Sequence, residues 1–500
     1  MEHILSIDQG TSGSKAMVIS EKGEIISSFT CPFPSYHPQP GFVEQDGNEI
    51  ISSVLSAVRQ ALAHFEADGN KKNSITAASI SNQRESFLLW DGSGSPLTPV
   101  IVWQCKRSVD VCSRLQKQDI ESVISDVTGL RIDPYFSGTK FLWLVEKNQD
   151  LAAKIKSGSV YFGTIDTWLV FKLTGVYATD HSNASRTLFM DLDTCTWSPK
   201  MGDIFGTKGL RLPDIHPATG SFGMTNFEGI FDSPIPITAI IGDSHAACFG
   251  EGCFFPGTVK ATMGTGSSVV MNTGKRTRSQ HGMVSTICWS MEGRIDYALE
   301  GVIVSCGSTV TWVQEKLKLV DSPVRFDVLA ESVSDSGGVT FVPAFAGLGG
   351  PYWQMDRNAE ILGITFGTEA AHIVRAALES YPFQLKDVIS AMENDRGAAL
   401  NANNRLHAYS RWIRADGGIT HSKLTMQMIA DLLKTNVRID KRHEASAMGA
   451  AMLGFIGKGT LTFSDVESLL QAAPYDEYQP GQADKSLEAA YQLWSKRILQ

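Results

Sequence analysis

Two stretches, Asp8-Gln9-Gly10-Thr11-Ser12-Gly13-Ser14 and Gly264-Thr265-Gly266-Ser267-Ser268, are built from glycines and hydroxyl residues. Backbone N–H groups in such a turn can converge on phosphate oxygens, and Thr and Ser hydroxyls add donors. Glycine removes the Cβ that would block close approach. The same composition serves an ordinary hairpin turn, and neither stretch is a GxxxxGK[ST] or GxGxxG pattern. Asp243 follows the apolar run Ile235–Ile241. Ligands of open α/β sheets bind outside the carboxyl ends of strands, so a carboxylate there can take a proton or hold a metal. It can equally cap the helix expected from Ala246 onward. His245 reads first as a polar neighbour of that aspartate. Asn82-Gln83-Arg84-Glu85 follows the strand expected over Ile75–Ile80. Side chains of an unbroken strand alternate, so Arg84 and Glu85 share a pocket only if the strand breaks there. Otherwise the run is a solvated turn. Asp166 reads as a structural helix cap, and the His and Cys residues show no metal-ligand spacing.

The elements around these residues are legible from periodicity. Ile4–Ile7 and Lys15–Ile19 read as a hairpin around the first turn, and Thr258–Met263 with Val269–Met271 as a hairpin around the second. Between Asp46 and Phe65, residues Ile51, Val54, Leu55, Val58, Leu62 and Phe65 fall on one helical face. Asp46 and Glu49 form an expected capping box, and Gly69 an expected stop. Ala371–Asn394 has helical periodicity with an expected kink at Pro382. A strand over Leu406–Ala415, the pair Gly417-Gly418 and a helix over Lys423–Leu433 follow, and Pro474–Ser486 reads as a surface connection. Strands mixed with helices throughout give an α/β class. Two turns of one chemistry, one per half, suggest two related domains with a boundary near residues 242–256.

The 500 residues suit two large domains or about three of average size. Hydrophobic residues at 43% and charged residues at 19% exclude disordered and fibrous classes. The 44 Lys and Arg against 53 Asp and Glu give a net charge of −9, without the basic excess or stripe of a nucleic-acid binder. No apolar run approaches the ~20 residues that span a bilayer, and Met1-Glu2-His3-Ile4 lacks the basic start of a signal peptide. The eight cysteines form no CxxC pair and no disulfide framework, so a reducing cytoplasm is the simplest setting.

Taken together, these segments resemble the FGGY carbohydrate kinases, most closely the members that phosphorylate glycerol. The likeness rests on Asp8 to Lys15, Asn82-Gln83-Arg84-Glu85, Ile101 to Arg107, Asp133 to Trp143, Gly163–Leu169, Ser182 to Thr187, Pro343 to Gly349, and Ala359 to Glu379, in that order. It implies two ribonuclease-H-like domains of the actin and hexokinase type with a cleft between them. An N-terminal domain over 1–250 would bind polyol and phosphate, and a C-terminal domain over 251–500 the nucleotide. Carried over by position, Arg84, Glu85, Tyr135 and Asp243 would bind the polyol, with Trp103 as an apolar wall and His245 alongside. Asp243 would be the base. Thr11, Ser12, Gly13, Lys15 and Thr265 would meet the ATP phosphates. Gly307, Gly418 and Ser422 would border the nucleotide, and Asp8 would hold Mg²⁺ through water.

Within the resemblance, Ser244-His245 stand where a Gln pair is usual, Ser268 where an aromatic residue closes the polyol pocket, and Ser422 where an Asn contacts the nucleotide. These differences bear on which polyol is used and leave phosphoryl transfer untouched. The implied activity is ATP-dependent phosphorylation of a small polyol, glycerol to glycerol 3-phosphate first. Erythritol-, xylulose- or ribulose-like substrates are the alternative. An actin-like ATP-binding regulator without transfer is a second alternative, but it would have no use for Arg84-Glu85 beside Asp243. Homo-oligomer formation is left open.

Overall fold

A computed structural model describes residues 1–322, 325–397, 412–442, 444–482 and 484–499. The chain forms two compact units. One comprises Met1–Gly252, Ser285–Tyr297 and Glu444–Ala472; the other comprises Cys253–Val284, Ala298–His443 and Ala473–Gln500. The units are therefore not the two continuous halves on either side of residue 250, because the chain contributes two later segments to the first unit.

The first strand, His3–Gln9, is almost continuously buried, as expected of a central strand covered on both faces. Its alternation sets two layers of packing. Leu5 and Ile7 join a core with the apolar face of helix Gly47–Ala67. On the other face Ser6 Oγ donates to the Ala447 carbonyl at 2.8 Å, in helix Ala445–Lys458. The six-stranded sheet runs Met224–Thr225, Ile235–Gly242, Ile75–Asn82, His3–Gln9, Gly13–Ser20, Ile25–Pro32. The three middle strands, Ile235–Gly242, Ile75–Asn82 and His3–Gln9, are parallel, and the others pair antiparallel. In the parallel register Gln9 pairs with Asn82 and Asn82 with Gly242, so three carboxyl ends stop in line.

The second unit repeats this plan. In its sheet, residues 298–303, Ser267–Gly274, Val259–Met263, Trp412–Asp416, Asn436–Asp440 and Tyr475–Tyr478 are neighbours in that order. Val259–Met263, Trp412–Asp416 and Asn436–Asp440 are parallel, with an antiparallel hairpin partner and an antiparallel edge strand. Apolar residues of these strands pack with Tyr381, Leu385, Val388, Ile389 and Met392 of helix Ala370–Gly397.

Local expectations fared unevenly. Both hairpins form, and helix Gly47–Ala67 buries Ile51, Val54, Leu55, Val58, Leu62 and Phe65. Its capping box is only half made. Asp46 accepts from the Asn48 and Glu49 amides, but the Glu49 carboxylate accepts from the Tyr36 hydroxyl at 2.9 Å instead of reaching back. The long helix continues through Pro382. Of the strand expected over Leu406–Ala415, residues 406–411 lie outside the described residues and the remainder falls in the strand Trp412–Asp416. The connection expected over Pro474–Ser486 contains the edge strand Tyr475–Tyr478, which the sheet supplies with a pairing partner despite its polar sequence.

Candidate active site

In the first unit the aligned strand ends bring Asp8, the segment from Asn82 to Glu85, and Asp243 to one edge of the sheet. The break required for Arg84 and Glu85 to act together is present. The strand stops at Asn82, Glu85 sits in the left-handed region at φ 61°, and the Ser86 amide donates to the Arg84 carbonyl at 2.7 Å. Arg84 then turns toward Asp243, its Nε donating to Asp243 Oδ1 at 3.1 Å. Glu85 turns into the protein, where Arg186 Nε meets its Oε1 at 2.5 Å; the two side chains are 1% and 0% exposed. The Ser137 hydroxyl holds the Glu85 carbonyl at 2.7 Å.

Asp243 is the first residue of helix Asp243–Gly250, and Gly242 occupies the cap position. The capping role open to Asp243 therefore does not absorb it. Oδ1 accepts from Arg84 and from the Ser244 amide at 2.6 Å, while the side chain stays 37% exposed. Gly242 has a steric reason to be glycine: a Cβ there would sit 2.7 Å from Arg84 Cγ. Ser244, rather than His245, stands at the accessible edge, its Oγ accepting from Arg84 Nη2 at 3.2 Å. His245 is fully buried beside Gly242, where a Cβ would also lie 3.2 Å from its Nδ1.

Trp103 and Tyr135 form an aromatic wall, ring centroids 5.5 Å apart and 64° between planes. The indole N–H of Trp103 donates to Thr11 Oγ1 at 3.0 Å, which ties the wall to the first glycine turn. In that turn the Gly10 amide donates to the Gly13 carbonyl at 2.9 Å, and Ser12 is exposed. Lys15 Nζ donates to both carboxylate oxygens of Glu444, at 2.7 and 2.9 Å.

Asp8 accepts from the Ser81 hydroxyl at 2.6 Å. Burial pushes its carboxyl up to about 6, against the Ser81 hydrogen bond, and the negative charges of Asp243 and Glu444 push the same way. A carboxyl held in that state gains from a cation. No cluster of three ligating side chains exists among the described residues to cage one. A single carboxylate that leaves the rest of the shell to waters and phosphate oxygens suits Mg²⁺.

In the second unit a cavity of about 550 Å³ is lined by Thr265, Gly307, Ser308, Trp312, Lys316 and Gly418, among others. Thr265 is exposed at the tip of the second turn. That turn is pinned to the start of helix Gly307–Trp312 by the Gly307 amide on the Gly264 carbonyl, 2.9 Å, and the Ser308 amide on the Thr265 carbonyl, 3.1 Å. A Cβ at Gly307 would lie 2.7 Å from the Gly264 oxygen, so the close approach requires glycine. Ser422 does not line the cavity. It caps helix Lys423–Leu433, accepting from the Thr425 amide, and donates to Asp327 Oδ1 at 2.6 Å. Ser268 donates to Oε1 of the fully buried Glu300 at 2.8 Å, so its hydroxyl is already engaged.

Several residues behind the first site escaped the sequence reading. Arg186 and Lys140 are fully buried cations, and Asp180 a fully buried acid. Asp180 accepts from the Ser182 and Asn183 amides. Ser182 Oγ in turn accepts from the Gly242 amide at 2.8 Å, and Asn183 exchanges amide bonds with Asn82 at 2.9 and 3.0 Å. This network fixes two of the three strand ends. The available signal was charged residues inside otherwise apolar helical patterns, as at Lys140 before Phe141-Leu142-Trp143.

Residues 3–250 match the N-terminal domain, and residues 259–457 the C-terminal domain, of the FGGY family of carbohydrate kinases. A glycerol kinase of Desulfitobacterium hafniense is 37% identical over 100% of this chain and 99% of its own. Glycerol kinase 1 of Thermotoga maritima is 39% identical over 99% of each chain. The crystal structure of Plasmodium falciparum glycerol kinase with ADP has a TM-score of 0.91 at 34% identity, covering 100% of this chain and 98% of that one. A ligand-bound xylulose kinase from Lactobacillus acidophilus, with a TM-score of 0.85 at 21% identity, shares the fold. The repeated strand order is that of the ribonuclease-H-like domains of actin and hexokinase type, and the chain belongs to the FGGY family of carbohydrate kinases.

Proposed function

We propose that this chain transfers the terminal phosphoryl group of ATP to a primary hydroxyl of glycerol, giving glycerol 3-phosphate. The observation that carries the reading is Asp243. Its half-exposed carboxylate stands at the aligned strand ends, oriented through one oxygen by Arg84 and the Ser244 amide, with Glu85 next in sequence to Arg84. The relatives bearing the name glycerol kinase support the choice of polyol.

Phosphoryl transfer depends on in-line positioning and charge neutralisation. Arg84 would donate to a polyol hydroxyl by charge-assisted bonds, and the buried Glu85 carboxylate, held by Arg186, would accept from a hydroxyl that reaches it. Trp103 and Tyr135 offer an apolar wall to the carbon edge. Asp243 Oδ2 accepts the hydroxyl proton as the oxygen attacks phosphorus. The second-unit cavity is of a size for a nucleotide, and Thr265 and the Gly307 backbone would meet its phosphates, as would Thr11, Ser12, Gly13 and Lys15 of the first turn. Mg²⁺ held through water by Asp8 would neutralise phosphate charge. Gly418 would border the nucleotide; Ser422, engaged as a helix cap, would act there only through the backbone. A cytoplasmic setting, where ATP is supplied and the eight cysteine thiols stay reduced, belongs to the same proposal.

One observation favours a second reading. Ser244 beside Arg84 is a short side chain, so a four- or five-carbon polyol or ketose is the competing substrate. A lost apolar contact shifts discrimination by only about 1–3 kcal/mol, so glycerol stays first. ADP release measured with glycerol, erythritol, xylulose and ribulose in parallel tests the choice. The highest kcat/KM on glycerol is expected, and a larger substrate preferred tenfold or more would replace it.

A further inference from the structure

Lys140 lies in the first turn of helix Ser137–Lys147 and is fully buried. A buried ammonium persists only where its protons are satisfied. Here Nζ donates to three backbone carbonyls: Tyr135 at 2.7 Å, Pro134 at 2.9 Å and Trp103 at 3.4 Å. These bonds join two segments far apart in sequence, the one that carries Trp103 and the one that carries Tyr135. The rings of those same two residues meet edge to face above the junction.

Acidic and thiol groups face the ammonium. Glu85 faces Lys140 from the end of strand Ile75–Asn82, Cys105 from the Trp103 segment, Cys112 from helix Val109–Gln116, and Asp133 from the segment before Tyr135. Burial pushes the Lys140 ammonium down to about 8, and these groups oppose that shift. Burial also pushes the Cys112 thiol up to about 12, which keeps it neutral across the working range, and pushes the Asp133 carboxyl up.

We infer that Lys140 is a positioning residue for the polyol site: as an ammonium it clamps the Trp103 and Tyr135 backbones together and so sets the aromatic wall. It touches no reacting atom. On deprotonation the amine keeps two N–H donors for three carbonyls, and the clamp loosens. The role for the polyol rests on the proposed function; the clamp itself does not.

The test uses the full chain with Lys140→Met, which keeps an unbranched apolar stem, and Lys140→Arg, which keeps the charge at all working pH values. Hydrogen exchange read by mass spectrometry follows peptides over 101–107 and 131–137. In Lys140→Met both should lose protection together while strand Ile235–Gly242 does not; unchanged protection of either segment overturns the clamp, whatever the substrate proves to be. In kinetics, removing charge-assisted bonds should raise the glycerol KM about ten- to a hundredfold, with the ATP KM within about threefold. In the wild type the glycerol KM should rise as pH passes about 8, and in Lys140→Arg that rise should be absent. Equal changes in both KM values, or the same pH inflection in Lys140→Arg, overturn the positioning role. If Lys140→Met does not fold, exchange in wild type and Lys140→Arg on either side of pH 8 decides: both segments should lose protection above pH 8 in the wild type and not in Lys140→Arg, and the same response in the two proteins overturns the clamp. A wild type inactive on glycerol but with the exchange result intact would sink the proposed substrate and leave the clamp standing.

Discussion

Replacing Asp243 with Asn separates the chemistry of this residue from its place in the structure. Oδ1 accepts from Arg84 Nε at 3.1 Å and from the Ser244 amide at 2.6 Å. An Asn can keep its own oxygen in that position, so both bonds survive and the new NH₂ replaces Oδ2 in a side chain that is 37% exposed. The fold and the Arg84 orientation should therefore persist, with a melting temperature within about 2 °C of wild type, the effect of a surface-sized change. What disappears is the proton acceptor. General-base contributions are about 10²–10⁴-fold, or roughly 3–5 kcal/mol on the barrier. Steady-state ADP release at saturating glycerol and ATP should show kcat reduced by that factor. The glycerol KM should move by less than about fivefold, because the uncharged contact is retained. A variant within tenfold of wild-type kcat would refute the assignment of Asp243 as base. A large KM change with kcat intact would reassign it to binding.

Arg186→Met should remove the buried ion pair that the guanidinium makes with the Glu85 carboxylate. Removing one member of a buried pair costs about 3–5 kcal/mol, so the melting temperature should fall by several degrees, and adding Glu85→Gln should recover much of the loss; no recovery would mean that Arg186 acts by packing on Phe136. Gly307→Ala places a Cβ where the Gly264 oxygen approaches to 2.7 Å, and should raise the ATP KM about tenfold or more while sparing the polyol KM. Equal effects on both would detach this turn from nucleotide binding. Asp180 is pushed up to about 7 by burial first and by the nearby Asp166 charge second, from an ordinary value of 3.8. Between those values the folded chain holds a proton that the unfolded chain has released, so this group's stabilisation is full below about 4 and lost as pH rises through about 7. Thermal melts of Asp180→Asn, which cannot ionise, should therefore gain on wild type from pH 5 to pH 8; a constant difference would contradict the raised value.

The parts of the site that depend on local chain chemistry were legible without a structure. Hydroxyl and glycine turns announced both hairpins, and the apolar run before Asp243 announced a strand whose carboxyl end would carry it. Arg84 and Glu85 were identified with a stated condition, a break after the strand, and the left-handed Glu85 meets it. What the sequence could not show was the register. Only the pairing of Gln9 with Asn82 and of Asn82 with Gly242 brings three segments from across some 240 residues into line, and long-range pairing leaves no trace in local periodicity. Arg186, Lys140 and Asp180 were missed for the opposite reason. Charged residues are expected at surfaces, and their burial is decided by partners distant in sequence, such as Glu85 for Arg186. His245 and Ser422 were drawn in by alignment position. The first is fully buried, and the need to cap a helix engages the second.

The central claim is that the chain joins the terminal phosphoryl group of ATP to a glycerol hydroxyl with Asp243 as the base. Wild type and Asp243→Asn incubated with Mg²⁺, ATP and an equimolar mixture of glycerol, erythritol and xylulose, with products read by ³¹P NMR and mass, test it in one measurement. The account predicts glycerol 3-phosphate as the main new phosphate monoester from the wild type, and at least a hundredfold less of it from the variant. A main product on another acceptor, inorganic phosphate alone, or equal yields from the two proteins would contradict it.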